Sequence, residues 1–77
     1  MIPTKTKEYV KELSAMFHVP ATKFPMWSVG TTQFIELPVT GLNFIQLRHI
    51  MNILPANTIL RCQSGKTCIQ VSFWIED

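Results

Sequence analysis

Residues 58–76 read TILRCQSGKTCIQVSFWIE, and the fold turns on how this stretch is interpreted. The tripeptide Gly65-Lys66-Thr67 is the tail of a phosphate-binding loop, but that loop needs G-x-x-x-x-G-K-[ST]. Its first glycine belongs five positions before Gly65, where Leu60 stands. The loop also needs a helix leaving it, because the free N–H groups of the helix start hold the phosphate. Residues 68–76 are β-branched, aromatic and alternating, so they predict a strand instead. Both requirements fail. The stretch reads as a β-hairpin, with strands over about 58–63 and 67–76 around Ser64-Gly65.

Its two cysteines are the next question. Five residues lie between Cys62 and Cys68, and the other imidazole or thiol ligands are His18 and His49. Zinc sites built on cysteine use a close C-x₂₋₄-C pair backed by a second close pair. Two isolated histidines do not supply one, so the sequence predicts no metal site within the chain and no cofactor. A disulfide depends on register. A two-residue turn sets Cys62 opposite Thr67, Leu60 opposite Ile69 and Thr58 opposite Val71. Leu60, Cys62, Ile69, Val71, Phe73 and Ile75 then share one face. Arg61, Gln63, Lys66, Cys68, Gln70 and Ser72 share the other, with Trp74 as an exception. A three-residue turn sets Cys62 opposite Cys68 but puts Arg61 opposite Ile69 on the apolar face. A one-residue slip inverts sidedness, so the apolar pattern selects the two-residue turn. That predicts Cys62 inward, Cys68 outward and no intrachain disulfide.

Before the hairpin, apolar residues fall at Tyr9, Val10, Leu13, Met16 and Phe17. The spacing predicts a helix over about 4–17 with one buried stripe, capped by Thr4 or Thr6 and closed before Pro20. Residues 19–28, VPATKFPMWS, carry two prolines and no period, and predict an apolar loop. Residues 29–39, VGTTQFIELPV, predict a strand with Ile35, Leu37 and Val39 on one face. Gly30 marks a bulge or late start, and Pro38 places that end on a sheet edge. A second helix is predicted over about 42–54, capped by Thr40, with Phe44, Leu47, Ile50, Met51 and Leu54 as its core face and Pro55 as its stop. The order is α-β-α-β-β. It predicts a two-layer α+β domain spanning residues 1–77, a three-stranded sheet with two helices packed on one face.

Composition limits the function. The chain has 77 residues, of which 47% are hydrophobic and 16% charged, with a formal charge of +2. Ordinary soluble domains carry about 25% charged residues, and chains this short often depend on a partner for stability. The excess apolar surface therefore predicts self-association, and a homodimer is expected. No apolar run reaches the roughly 18–20 residues that span a bilayer. The N-terminus lacks the apolar core of a signal peptide, so a cytoplasmic protein with reduced thiols is expected.

Catalytic machinery is also missing from the pattern. The acids are Glu8, Glu12, Glu36, Glu76 and Asp77, without paired carboxylates, a Gly-rich loop or a nucleophile elbow. The expectation is a small non-enzymatic interaction or regulatory protein that binds another protein or its own copy. Phe24, Met26, Trp27 and Trp74 are the candidate partner-binding residues, because large aromatics and methionine are favoured anchors. The alternative is nucleic-acid binding through Lys23, Arg48, Arg61 and Lys66 around the hairpin tip. In element order alone the chain resembles Alba-like folds and the C-terminal domains of initiation factors, lacking their first strand. That resemblance implies basic loops that track a phosphate backbone. The seven basic residues, however, form no run, where strong nucleic-acid binders cluster them.

Overall fold

The computed structural model describes residues 3–62 and 69–75. Its elements are α1 (Thr4–Phe17), a 3-10 turn (Ala21–Lys23), β1 (Met26–Val29), β2 (Thr32–Leu37), α2 (Phe44–Ile53), β3 (Ile59–Cys62) and β4 (Ile69–Trp74). The class is α+β, as expected, but the sheet has four strands, all antiparallel, in the order β1-β2-β4-β3. The chain is thus two α-β-β units joined through their second strands. The expected order α-β-α-β-β lacked β1, and the resemblance drawn from that order lapses with it.

The missing strand hides behind prolines. Pro20 and Pro25 break the segment, yet Pro25 only precedes Met26, a position where its lack of an N–H costs an edge strand nothing. Its carbonyl still accepts from Glu36 N–H at 2.9 Å. Gly30 is neither a bulge nor a strand start. It is the first of the two residues linking Val29 to Thr32, with φ 63°. A positive φ at the first central position only is the mark of a type II′ hairpin turn, where glycine is the favoured residue. Pro38 lies past the end of β2, which is a central strand and not an edge.

α1 packs as its stripe requires. Val10 and Leu13 are fully buried, with Tyr9, Met16 and Phe17 partly buried against the same core. Tyr9 meets Phe73 of β4 edge-to-face, with centroids 5.5 Å apart. Neither threonine caps the helix. Pro3 precedes it without a side-chain cap bond, and Thr6 is buried. His18 closes it in the left-handed conformation, donating its backbone N–H to Ser14.

α2 starts later than expected. Its cap is Asn43, not Thr40: Asn43 Oδ1 accepts from Gln46 N–H at 2.8 Å and Gln46 Oε1 accepts from Asn43 N–H at 3.0 Å. This reciprocal capping box satisfies two donors that no intrahelical carbonyl can reach. The helix is also rotated from the expected face. Ile50 and Leu54 are buried, Leu47 is partly so, and Phe44 and Met51 point to solvent. Leu42 and Val39, ahead of the helix, pack on the core in place of Phe44.

The hairpin keeps its expected sidedness but not its register. Leu60 pairs with Val71 and Cys62 with Ile69, two positions from the alignment that a two-residue turn gives. A shift of two preserves which side chains share a face, so the apolar pattern alone cannot detect it. The turn residues and Cys68 lie outside the described residues, and the sidedness expected for Cys68 lies there with them. Cys62 stands on the helix side of the sheet, yet it is exposed, contrary to the expectation of a core thiol. It ends an edge strand on which Leu60 alone is partly buried.

Candidate functional site

Strand register sorts the sheet into two faces. Toward the helices the rows read Met26, Ile35, Val71, Leu60 and Ser28, Gln33, Phe73. With Phe24, Leu37 and Ile69 these form the core under α1 and α2. Both helices supply their buried residues to this face, so the opposite face carries no helix.

On that bare face, three rows run across the strands. The first is Val29, Thr32, Trp74; the second Trp27, Phe34, Ser72, Ile59; the third Glu36, Gln70, Arg61. An antiparallel sheet with one solvated face normally alternates apolar in and polar out. Here Trp27, Val29, Phe34, Ile59 and Trp74 break that rule together. Val29 is 65% exposed, Ile59 51% and Trp74 44%. Trp27 and Phe34, direct cross-strand neighbours, stack with centroids 5.4 Å apart and planes 8° from parallel. Each half-covers the other, so both are only partly buried.

The row nearest the hairpin tip differs. Glu36 and Arg61 flank Gln70, which is buried although it faces outward. At the other end, Asn57 fixes Trp74. Its Nδ2 donates to the Trp74 carbonyl at 3.0 Å, and its Oδ1 accepts from the Trp74 N–H at 3.1 Å. Asn57 lies two residues before Ile59, in the register position opposite Trp74. Its amide therefore mimics a peptide group and lengthens the β3–β4 ladder by one pair.

The four residues expected to bind a partner divide. Trp27 and Trp74 lie on the bare face. Met26 is partly buried on the helix side. Phe24 is 2% exposed, packs beside Phe17 and belongs to the core, so it offers no surface to a partner. Sequence reasoning missed Val29, Phe34 and Ile59, and the signal for Val29 was the Gly30 turn that makes β1 a strand.

The described members of the expected cationic set stand on three different elements. Lys23 ends the 3-10 turn, Arg48 lies on α2 with its guanidinium 5.9 Å from the Phe44 ring centre, and Arg61 stands on β3. Lys66 lies outside the described residues. Among the described residues no three His, Cys, Asp or Glu side chains come together, and no helix is long and apolar enough to cross a membrane. A second apolar surface exists on α2, where Phe44, Ile45 and Met51 are exposed. A groove of about 270 Å³ runs beside it, between Met51, Pro55, Ala56 and Leu60.

No family model matches the chain, and no curated protein or solved structure gives a significant match.

Proposed function

We propose that this protein is a small, non-enzymatic interaction protein of the reducing cytosol, and that it works by binding a second copy of itself through the bare face of its sheet. The observation that carries this reading is the alignment of Trp27, Phe34, Trp74, Val29 and Ile59 on one uncovered face. Contiguous exposed apolar patches on small proteins mark contact surfaces. Two sheets packing face to face through such residues form a sandwich core about 10 Å thick. The face is self-sufficient for this purpose, being apolar at its middle and polar along one end. Arg61 is the one described cation on its strands, which favours protein over nucleic acid as the occupant.

Size sets the strength. β2 and β4 run six residues and β1 and β3 four; at about 3.4 Å rise and about 4.8 Å spacing they cover roughly 330 Å² per copy in projection. A standard interface buries about 800 Å² per partner, so the dimer belongs to the weak, exchanging class.

Sedimentation velocity over the micromolar range tests the reading. The wild type should shift from monomer to dimer with concentration, and Ile59→Lys should stay monomeric, with an unchanged circular dichroism spectrum and, at concentrations where the wild type is also monomeric, an unchanged melting profile. A wild type that remains monomeric at high micromolar concentration overturns it. So does a dimer that survives Ile59→Lys but dissociates in Phe44→Glu or Met51→Glu, which would move the contact to α2.

A further inference from the structure

We infer that the outer edge of β3 binds an extended segment of a partner protein, which joins the sheet as a further antiparallel strand and lowers an aliphatic side chain into the groove between β3 and α2. This goes beyond self-association and does not rest on it, since the β3 edge is open whether or not the bare face is covered.

The backbone gives the first argument. β3 ends the sheet, with β4 as its one strand neighbour among the described residues. The bonds from Asn57 fix the Trp74 N–H and carbonyl as pointing toward β3. Backbone direction alternates along a strand, so Ser72 and Gln70 point the same way, and their partners Ile59 and Arg61 close the ladder. Leu60 and Cys62 therefore turn their N–H and carbonyl groups outward. Among the described residues no backbone group outside the sheet bonds to either. Two donors and two acceptors so spaced are one half of an antiparallel ladder, and such an edge is a template for another strand.

The side chains give the second. A residue paired with Leu60 projects to the same face as Leu60, the helix side, about 5.5 Å farther out. The groove of about 270 Å³ between Met51, Pro55, Ala56 and Leu60 opens on that side, and its apolar walls suit an aliphatic side chain. The groove beside β1, the other edge, is walled by Lys7, Glu8 and Lys11, whose charges an aliphatic group would desolvate.

Charge selects the occupant. Self-pairing of β3 that engages all four outward groups sets Leu60 against Cys62 of a second copy and Arg61 against its own counterpart. Like charges directly opposite are destabilising, and a cation on an edge strand blocks such pairing. A strand with an acidic residue opposite Arg61 has the reverse effect. Antiparallel direction then orders the motif: an acidic residue, an aliphatic one opposite Leu60, and an apolar one opposite Ile59, which is 51% exposed.

The blocked peptide KTTELVTK carries this order and serves as the probe. Fluorescence polarisation of a labelled copy should show saturable binding below about 1 mM. N-methylation of its leucine amide, which faces β3, should abolish binding; N-methylation of its valine amide, which faces away, should not. Cys62→Pro removes an outward donor where an edge strand tolerates proline. It should fold like wild type and bind at least about tenfold more weakly. Arg61→Glu should weaken binding about threefold to tenfold and reverse the preference toward KTTKLVTK. No binding of KTTELVTK overturns the inference. Equal binding of the two N-methylated peptides does so as well, leaving a groove that takes an apolar group without strand addition. A Cys62→Pro variant that fails to fold would place the Cys62 N–H inside the ladder, and one that loses self-association would give the edge to a second copy; either result also overturns it.

Discussion

Asn57→Ala removes the side chain that ties the loop before β3 to the end of β4, and its effect can be worked out from two hydrogen bonds. Nδ2 donates to the Trp74 carbonyl at 3.0 Å and Oδ1 accepts from the Trp74 N–H at 3.1 Å. An intramolecular hydrogen bond contributes a net of about 0.5–1.5 kcal/mol, and this site is open enough for water to replace the lost partner. The low end of that range applies, so the two bonds together are worth about 1–2 kcal/mol. For 77 residues, an unfolding entropy of about 2.1 cal/mol/K per residue gives roughly 0.16 kcal/mol/K, so the melting point should fall by about 6–12 °C. Asn57→Asp is the sharper variant. It keeps an acceptor for the Trp74 N–H but sets a carboxylate oxygen against the Trp74 carbonyl, so it should cost at least as much as alanine. Urea denaturation followed by tryptophan fluorescence measures both variants. It should be run at low protein concentration, because the proposed dimer would add to apparent stability by mass action. The same variants should weaken the proposed self-association, because Trp74 lies on the bare face and its backbone is no longer held. A loss below about 0.3 kcal/mol for alanine, or an aspartate variant as stable as wild type, would show that the ladder ends at Ile59–Ser72 and that Asn57 holds nothing.

Two further outcomes follow from backbone and exposure. Gly30 has φ 63°, and a methyl group there meets no atom within 4 Å, so Gly30→Ala should cost about 1 kcal/mol through the backbone alone. Thermal unfolding reads this, and an alanine variant as stable as wild type refutes the II′ turn. In a Cys68→Ser background, Cys62 should react with a thiol reagent in the native state about as fast as in urea, because its thiol is exposed. Protection released only by unfolding would place that thiol in the core after all.

Local patterns in the sequence carried the helices and the sidedness of the hairpin. Val10 and Leu13 announce α1 because a helix must bury one stripe, and the structure buries that stripe. The rejection of a phosphate loop holds for the part that is described, since residues 69–74 form a strand. What failed depended on contacts distant in sequence. Phe44 and Met51 fit a core stripe as well as Leu47 and Ile50 do. Only the docking of α2, with Leu42 and Val39 already on the core, decides which stripe goes inward. From sequence Phe24 fits a partner anchor and a cover for the open end of the core equally well, since a chain this small needs every large side chain it has, and the structure buries it.

The bare face was hidden for a different reason. Within β4, Trp74 is a single apolar residue on a polar side, and within β2 Phe34 is the same. Along β3, Ile59 sits at the start of the strand where the pattern is weakest. One exception per strand is ordinary, since most protein surface is apolar in any case. The exceptions become a surface only when strand order and register bring them side by side, and that needs β1 and the β2–β4 pairing that joins the two α-β-β units. The same registration places Glu36, Gln70 and Arg61 in one row. No spacing rule connects residues 36, 61 and 70, and their relation exists only in the assembled sheet. Stability and the proposed binding therefore share one determinant: the β2–β4 ladder that closes the core on one side aligns the proposed contact surface on the other. Substitutions that shift this ladder should disable both, whereas changes confined to outward positions such as Ile59 should separate them.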